Sequence, residues 1–398
     1  MGKRGKKEYL RAILKRYTLA DKKEKRSILD EFCKVCQYNR KYAIRLLSRG
    51  EIPVEHRTNR PAGRRKRYDD PALLEALKYI WEKLNLPCSK RLKMALPLWL
   101  PFYERHKHVQ LTSEQQSLVL SISAATIDRL MAPMRARTRK LGLCTTRPGS
   151  LLKKHIPIAT DQWDETRPGF IEADTVAHCG TSMEGMFVFT VNCIDIATGW
   201  REQRAIWGKG EYGVLGAIKD IEQKLPFDIL GFDCDNGSEF INWPILKYFK
   251  NRKPPVQYTR SRPYHKNDNA HVEEKNWTLV RQYIGYQRLG KRNLADELNQ
   301  LYLSEWRLFM NFFVPSTKLI EKRRVGAKII KKYDSPKTPF QRLLESPLIS
   351  TRTKDQLQKL FSKQDPFNLQ RQIQRKINAI ISQAEPLPTF SSKHEQIS

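Results

Sequence analysis

Apolar positions recur at helical spacing in the first fifty residues. They predict helices over 8–17 and 22–36, each with one apolar face. Asn39 is a favourable N-cap for a third, short and basic helix over 40–47. Three such helices predict a helix-turn-helix unit over 1–52, whose last helix carries cations outward as in DNA-reading modules.

A second helical pattern runs from about 70 to 141 and ends in a cationic stretch, which predicts a second DNA-binding domain over 70–145. Pro and Gly interrupt regular structure on both sides of this pattern. Residues 53–69 are therefore predicted to form a basic arm, which either lies in a DNA minor groove or serves as a soluble linker. Residues 146–167 are predicted to form a second linker.

From Phe170 the pattern changes to short apolar strands that alternate with helices. Three strands in succession, of which the second and third form a hairpin, are followed by strand and helix in alternation. This order predicts an α/β RNase H-like catalytic core over 168–315, with a mixed five-stranded sheet and flanking helices. A basic region over 316–398 follows, and its fold is not predicted. The predicted strands are 170–174, 186–195, 198–204, 229–233 and 256–259, and the predicted helices are 212–225, 238–249 and 269–286.

The charge of the chain is large and unevenly distributed. The net charge is +31, and residues 1–70 hold 22 basic and 9 acidic side chains, whereas 168–300 hold 17 of each. Basic flanks around a neutral core predict double-stranded DNA as the partner, although an uneven solvated surface remains an alternative. No apolar run approaches the roughly 20 residues of a membrane span, so we expect a soluble, cytoplasmic protein associated with the bacterial nucleoid.

Three carboxylates lie in segments near the predicted carboxyl ends of strands, where open α/β sheets usually have their active sites. Asp174 ends a predicted strand, Asp235 follows another at a Gly turn, and Glu273 lies one turn into a predicted helix. Converging carboxylates repel one another, but they suit hard, oxygen-seeking cations such as Mg²⁺ or Mn²⁺. The sequence therefore predicts a metal site at the carboxyl ends of the strands.

These motifs together resemble the catalytic core of DDE recombinases, the family of bacterial insertion-sequence transposases and retroviral integrases. The resemblance covers about 168–290 and rests on the Asp174 strand, on Asp-Asn-Gly at 235–237, and on Arg-Pro-Tyr-His…Asn-x-x-x-Glu ending at Glu273. It departs from the family pattern at Ala270, where many members have Gly. The adjacent Glu274 remains an alternative third ligand.

The resemblance implies a DNA transposase or integrase that exposes 3′-hydroxyl ends and joins them to target DNA. Asp174, Asp235 and Glu273 would be catalytic and would bind two Mg²⁺ or Mn²⁺ ions, without a covalent protein–DNA intermediate. Joining two element ends, the terminal inverted repeats, implies a homo-oligomer on DNA. A DNA-binding regulator with a relic core and an RNase H-type nuclease without strand transfer are the alternatives.

Cationic and aromatic side chains near these elements are the predicted DNA contacts. His178 is either a contact to DNA or a hydrogen-bonded surface histidine. The predicted contacts are Arg40, Lys41, Arg45, Arg60, Arg64, Arg65, Lys66, Arg67, Arg135, Arg139, Tyr264, His265, Lys266, Lys275 and Arg281.

Overall fold

The computed structural model divides the chain into two compact units, Met1–Arg67 and Tyr68–Ser398. It describes residues 2–48, 67–135, 166–235, 237–260, 276–325 and 328–385. Within these ranges no helix combines the length and apolarity that crossing a membrane requires.

The first unit contains the three predicted helices. Asp21 starts the second helix with a capping box that includes Glu24, and the Asn39 side chain accepts a hydrogen bond from the Lys41 amide at 3.0 Å. Phe32 is fully buried in the small core that the helices enclose. The helices are thus confirmed, while their role as a DNA-reading unit stays a prediction. Their bounds are α1 Lys3–Leu19, α2 Lys22–Cys36 and α3 Arg40–Ser48.

Four helices open the second unit and confirm the second helical pattern as far as residue 135. They share one hydrophobic core with helices near the C-terminal end of the chain. The Trp99 indole donates to the Phe313 carbonyl at 3.0 Å, and the Arg91 guanidinium donates to the Pro315 carbonyl at 2.7 Å. The bounds are α4 Pro71–Lys83, α5 Ser89–Lys107, α6 Ser113–Ser121 and α7 Ala124–Arg135.

A five-stranded sheet forms the centre of the second unit, in the order β3-β2-β1-β4-β5. The strands β1, β2 and β3 pair antiparallel, and β4 and β5 continue the sheet parallel to β1. This mixed sheet with flanking helices fits an RNase H-like core. The bounds are β1 Phe170–Ala177, β2 Val188–Asp195, β3 Arg201–Trp207, β4 Gly231–Cys234 and β5 Gln257–Arg260.

Several strand limits differ from the prediction, and the structure explains two of the differences. The strand β1 does not end at Asp174 but continues to Ala177, because β2 is long enough to pair with it over the whole distance. The strand β3 starts at Arg201 rather than at Thr198. There the buried Asp195 carboxylate accepts hydrogen bonds from the Thr198 amide at 2.7 Å and hydroxyl at 2.6 Å, which builds the hairpin turn.

Helices cover both faces of the sheet. The helices α8 (Glu211–Lys224) and α9 (Trp243–Lys250) pack on one face. The predicted start of α9 at Ser238 is wrong. The Asn242 side chain accepts a hydrogen bond from the Ile245 amide at 3.1 Å and caps a helix with Pro at its start. The opposite face is covered by Asn293–Leu301, the π-helical turn Tyr302–Trp306 and Arg307–Phe312.

The C-terminal region was left unassigned by the sequence, and its described residues, as far as 385, form a hairpin and three helices. The last helix, Pro366–Ser382, is called the C-terminal helix below. It buries Phe367, Ile373 and Ile377 in the core that α4 to α7 also share. The other elements are β6 Leu319–Val325, β7 Lys328–Tyr333, and the helices Pro339–Glu345 and Thr351–Phe361.

Candidate active site

Asp174 and Asp235 occupy equivalent positions on neighbouring strands. The parallel pairing of β1 with β4 ends at Ala173 opposite Cys234, and each aspartate is the next residue along its chain. Adjacent strands lie about 4.8 Å apart, so the two backbones bring the carboxylates into the same neighbourhood. Asp174 stays within β1, and it stands at the point where β1 loses its parallel neighbour.

Both aspartates also belong to the same face of the sheet. Ala173 and Cys234 are fully buried in the core beneath α8 and α9. Because successive side chains of a strand point to opposite faces, Asp174 and Asp235 belong to the other face. That face meets the segment beginning at Asn276, a π-helical turn that extends to Arg281.

Hydrogen bonds hold both carboxylates. Asp174 Oδ1 accepts from the Thr175 amide at 2.7 Å, and Asp174 Oδ2 accepts from Asn276 Nδ2 at 2.5 Å. Asp235 Oδ1 accepts from the Gly237 amide at 2.9 Å. Donors directed at carboxylate oxygens restrict the rotation of the side chain.

A series of hydrogen bonds connects Asp174 to the far edge of the sheet. Asn276 Oδ1 accepts from Asn192 Nδ2 at 2.8 Å, and Asn192 Oδ1 accepts from Gln203 Nε2 at 2.8 Å. Gln203 Oε1 in turn accepts from the Trp306 indole at 3.1 Å. We call Trp306, Gln203, Asn192 and Asn276 the amide relay. Each amide both donates and accepts, so rotating one by a half-turn would break two bonds, and Asp174 receives a donor of fixed direction.

Glu239 is a further carboxylate at this end of the sheet that the sequence analysis did not single out. Its Oε1 accepts from the Thr175 hydroxyl at 3.0 Å and pairs with Lys209 Nζ at 2.7 Å. Its buried Oε2 has no hydrogen-bond partner among the residues that the structure describes. Gly237 leaves the space for it, since a Cβ there would stand 2.4 Å from this oxygen. The sequence feature that could have identified Glu239 is its position two residues after the Gly turn, in Asp-Asn-Gly-Ser-Glu-Phe.

The oxygen donors of this site suit a hard divalent cation. Asp174 and Asp235, which follow paired residues of neighbouring strands, supply carboxylate oxygens of the kind that Mg²⁺ and Mn²⁺ bind. Within the described ranges, no group of three or more His, Cys, Asp or Glu side chains is placed to hold a metal ion. The predicted third ligand Glu273 and its alternative Glu274 lie outside the described residues.

Several predicted DNA contacts have roles within the protein. Arg40 pairs with Asp30, and Arg135 pairs with Asp128. The Arg281 guanidinium donates to the Ala177 carbonyl at 2.5 Å, which ties the π-helical turn to the end of β1. Lys41, Arg45 and Arg67 are exposed. Contact of any of them with DNA stays a prediction, and Arg60, Arg64, Arg65, Lys66, Arg139, Tyr264, His265, Lys266 and Lys275 lie outside the described residues.

His178 is not a surface residue, and both predictions for it are wrong. Its ring is fully buried, and Nε2 lies 2.9 Å from the Thr190 hydroxyl, which lies 3.0 Å from the Tyr302 hydroxyl. Burial, with a smaller contribution from Arg281, lowers the pKa of His178 to about 3. A neutral, enclosed imidazole packs the sheet and is not accessible to DNA.

Comparisons with known proteins gave one close relative in sequence. No protein-family model matches the chain. The uncharacterized protein y4rM of Sinorhizobium fredii is 39% identical over 338 residues, which are 84% of this chain and 94% of the relative. The crystal structure of the catalytic core domain of BIV integrase aligns with 45% of this chain and 95% of its own, at 17% identity. Its TM-score of 0.28 is too low to assign a fold or an activity.

Proposed function

The chain belongs to the family of the uncharacterized protein y4rM of Sinorhizobium fredii, and we propose that it is a metal-dependent DNA transposase or integrase. The observation that carries the proposal is the pair Asp174 and Asp235, which follow registered residues of two parallel strands. The sheet order and the motifs around 235–237 and Glu273 support the same activity.

The proposed site binds two Mg²⁺ or Mn²⁺ ions through Asp174, Asp235 and Glu273. Asn276, whose side chain holds Asp174, follows Glu273 by only three residues in the sequence. When bound, the ions would activate water or a DNA 3′-hydroxyl and stabilise the leaving oxygen. The arrangement needs no protein nucleophile, which separates the proposal from tyrosine and serine recombinases.

The residues of the chain contribute in two ways: some orient the carboxylates, and others bind the DNA. The Thr175 amide and Asn276 fix both oxygens of Asp174, and the Gly237 amide fixes one oxygen of Asp235. Holding ligands in place before the substrate arrives lowers the reorganisation needed in the reaction. The exposed cations of α3 would hold the DNA together with the predicted basic arm, and paired element ends imply at least two protomers.

The test is DNA cleavage and joining by the full chain. DNA carrying the terminal repeats of the encoding element is incubated with the protein and Mg²⁺, and the products are resolved on a denaturing gel. We expect nicks at 3′ ends followed by strand transfer. Asp174→Asn and Asp235→Asn should abolish both products, whereas Asp228→Asn, the same change at an exposed aspartate before β4, should leave them unchanged.

The products separate this proposal from its alternatives. Nicks without joined products would indicate a nuclease. If the wild-type protein and Asp174→Asn are equally inactive while both bind the element ends, a DNA-binding regulator is the better description.

A further inference from the structure

A groove lies between α4, the end of α5 and the C-terminal helix. Its volume is about 330 Å³. All three elements belong to the second unit, and none carries a carboxylate discussed for the active site. The groove is lined by Tyr79, Lys83, His106, Phe367, Gln370, Arg371, Gln374, Arg375 and Asn378.

The C-terminal helix presents two chemically different faces. Phe367, Ile373 and Ile377 bury one face in the core. The side chains that line the groove at 370, 371, 374, 375 and 378 are only guanidinium and carboxamide groups. This composition is unusual for a merely solvated helix face, where acidic side chains normally alternate with basic ones. It matches the side chains that contact DNA phosphates.

The arginines of the groove have no carboxylate partner within the described part of the chain. No carboxylate lines it, and neither Arg371 nor Arg375 forms an ion pair with any residue that the structure describes. Three carboxylates of the neighbouring segments have partners or roles of their own: Glu75 pairs with Lys107 at 3.6 Å, Glu82 pairs with Lys78 at 3.9 Å, and Asp365 caps the C-terminal helix.

The base of the groove is a set of aromatic rings packed against one another. His106 stacks on Phe367 with ring centroids 5.1 Å apart, and Tyr79 stacks on His106 at 6.0 Å. Arg371 Nη2 lies 3.3 Å from His106 Nδ1, and Lys107 lies over the Tyr79 ring at 4.2 Å. These contacts hold the cationic side chains on a rigid base, which reduces the entropy lost when they bind a ligand.

We propose that this groove binds the sugar-phosphate backbone of duplex DNA. Arg371 and Arg375 are one helical turn apart, about 6 Å along the axis, and so form a cationic row along the groove. Single-stranded DNA is the poorer fit, because its recognition relies on aromatic faces open to the bases. Here Phe367 is 98% buried and the rings stack on each other.

The inference rests on the proposed function only in that DNA is the substrate. It adds Arg371 and Arg375, which are not among the DNA contacts predicted from the sequence. The measurement is binding of the full chain to a fluorescein-labelled duplex by anisotropy, over a series of salt concentrations. The variant Arg371→Ala/Arg375→Ala is compared with Arg352→Ala/Lys359→Ala, which removes two exposed cations from the helix Thr351–Phe361 outside the groove.

We expect the groove variant to bind more weakly and to lower the slope of log K against log salt by about 2, since each phosphate contact contributes about one unit. The control variant should keep the wild-type slope. Arg371→Lys/Arg375→Lys should retain most of the slope, which separates loss of charge from loss of folding.

Two outcomes would overturn the inference. If the groove variant keeps the wild-type slope, or loses no more of it than the control variant, the groove does not contact phosphates although the protein binds DNA. If the wild-type protein does not bind duplex DNA at all, both this inference and the proposed function fail.

Discussion

Among the residues that the structure describes, two donors of different origin orient Asp174. The Thr175 amide is its immediate neighbour in the chain, whereas Asn276 is 102 residues away. The local bond forms with the strand, but the distant bond requires the complete sheet and the π-helical turn. The geometry of a single carboxylate therefore depends on packing across the whole second unit.

Replacing Asn276 by Ala should weaken metal binding. Asp174 Oδ2 would lose its donor and the amide relay would lose its last member, so the carboxylate could rotate. Changes in groups that orient metal ligands typically lower metal affinity or activity by about 10-fold to 100-fold. Titration of the protein with Mn²⁺, with free Mn²⁺ followed by electron paramagnetic resonance, measures the effect without an activity assay.

Asn293→Ala is the matched control, because this exposed amide contacts Glu297 and Gln383 away from the site. Equal Mn²⁺ affinities for the Asn276 variant and the wild-type protein would show that the relay does not orient Asp174.

The buried His178 should make stability depend on pH. Its folded pKa is lowered to about 3, so the folded protein excludes a proton that the unfolded chain binds below about pH 6.5. The stability present above pH 6.5 is therefore lost as the pH falls towards 3, by about 1.4 kcal/mol per pH unit. The free energy of unfolding of His178→Gln, measured in urea between pH 4.5 and 7.5, should show a correspondingly smaller slope.

His108→Gln serves as the comparison, since its ring is exposed and solvated in both states. If the free energy of unfolding of His178→Gln falls with pH as steeply as that of the wild-type protein, the prediction is wrong.

At the scale of elements, the turn between β4 and α9 depends on one close approach. Gly237 lies under the carboxylate of Glu239, which Thr175 and Lys209 hold in place. Gly237→Ala should force Glu239 out of position and lower the free energy of unfolding by about 1–3 kcal/mol, the usual effect of overpacking.

A double-mutant cycle with Glu239→Ala tests the cause, with thermal or urea unfolding as the measurement. In the Glu239→Ala background the added methyl group meets no carboxylate, so Gly237→Ala should have little further effect. Additive effects would exclude the steric explanation.

The sequence predicted elements better than contacts between them. The strands β2 and β4 were recognisable because Val, Ile and Phe are frequent in short segments that end at turn residues. The three N-terminal helices were recognisable because of their apolar spacing and, for the third, the cap at Asn39. The start of α9 was misplaced because Ser238 and Glu239, followed by apolar residues, resemble the first turn of a helix. Asn276 and Glu239 were not identified as part of the site, because their partners lie 102 and 64 residues away. The basic hairpin β6–β7 was missed because its charges obscure the strand pattern.

At the scale of the whole molecule, each compact unit has its own hydrophobic core. Removal of residues 2–66 should therefore leave the second unit with a cooperative thermal transition, measured by circular dichroism. The truncation lowers the net charge from +31 to +17, so duplex DNA should bind more weakly and with a smaller salt dependence.

The intact protein is the reference for both measurements. A truncated chain without a cooperative transition would show that the second unit needs the first in order to fold.

The core shared by α4 to α7 and the C-terminal helices also affects folding during synthesis. The Trp99 indole can form its hydrogen bond only after Phe313, which is 214 residues further along the chain, has been synthesised. At about 5–20 residues per second, roughly 10–40 s pass between the appearance of the two residues on the ribosome. During that interval the helical block exposes the apolar surface that it will later bury. We therefore expect chaperones that act on nascent chains to bind this segment until Phe313 has been synthesised.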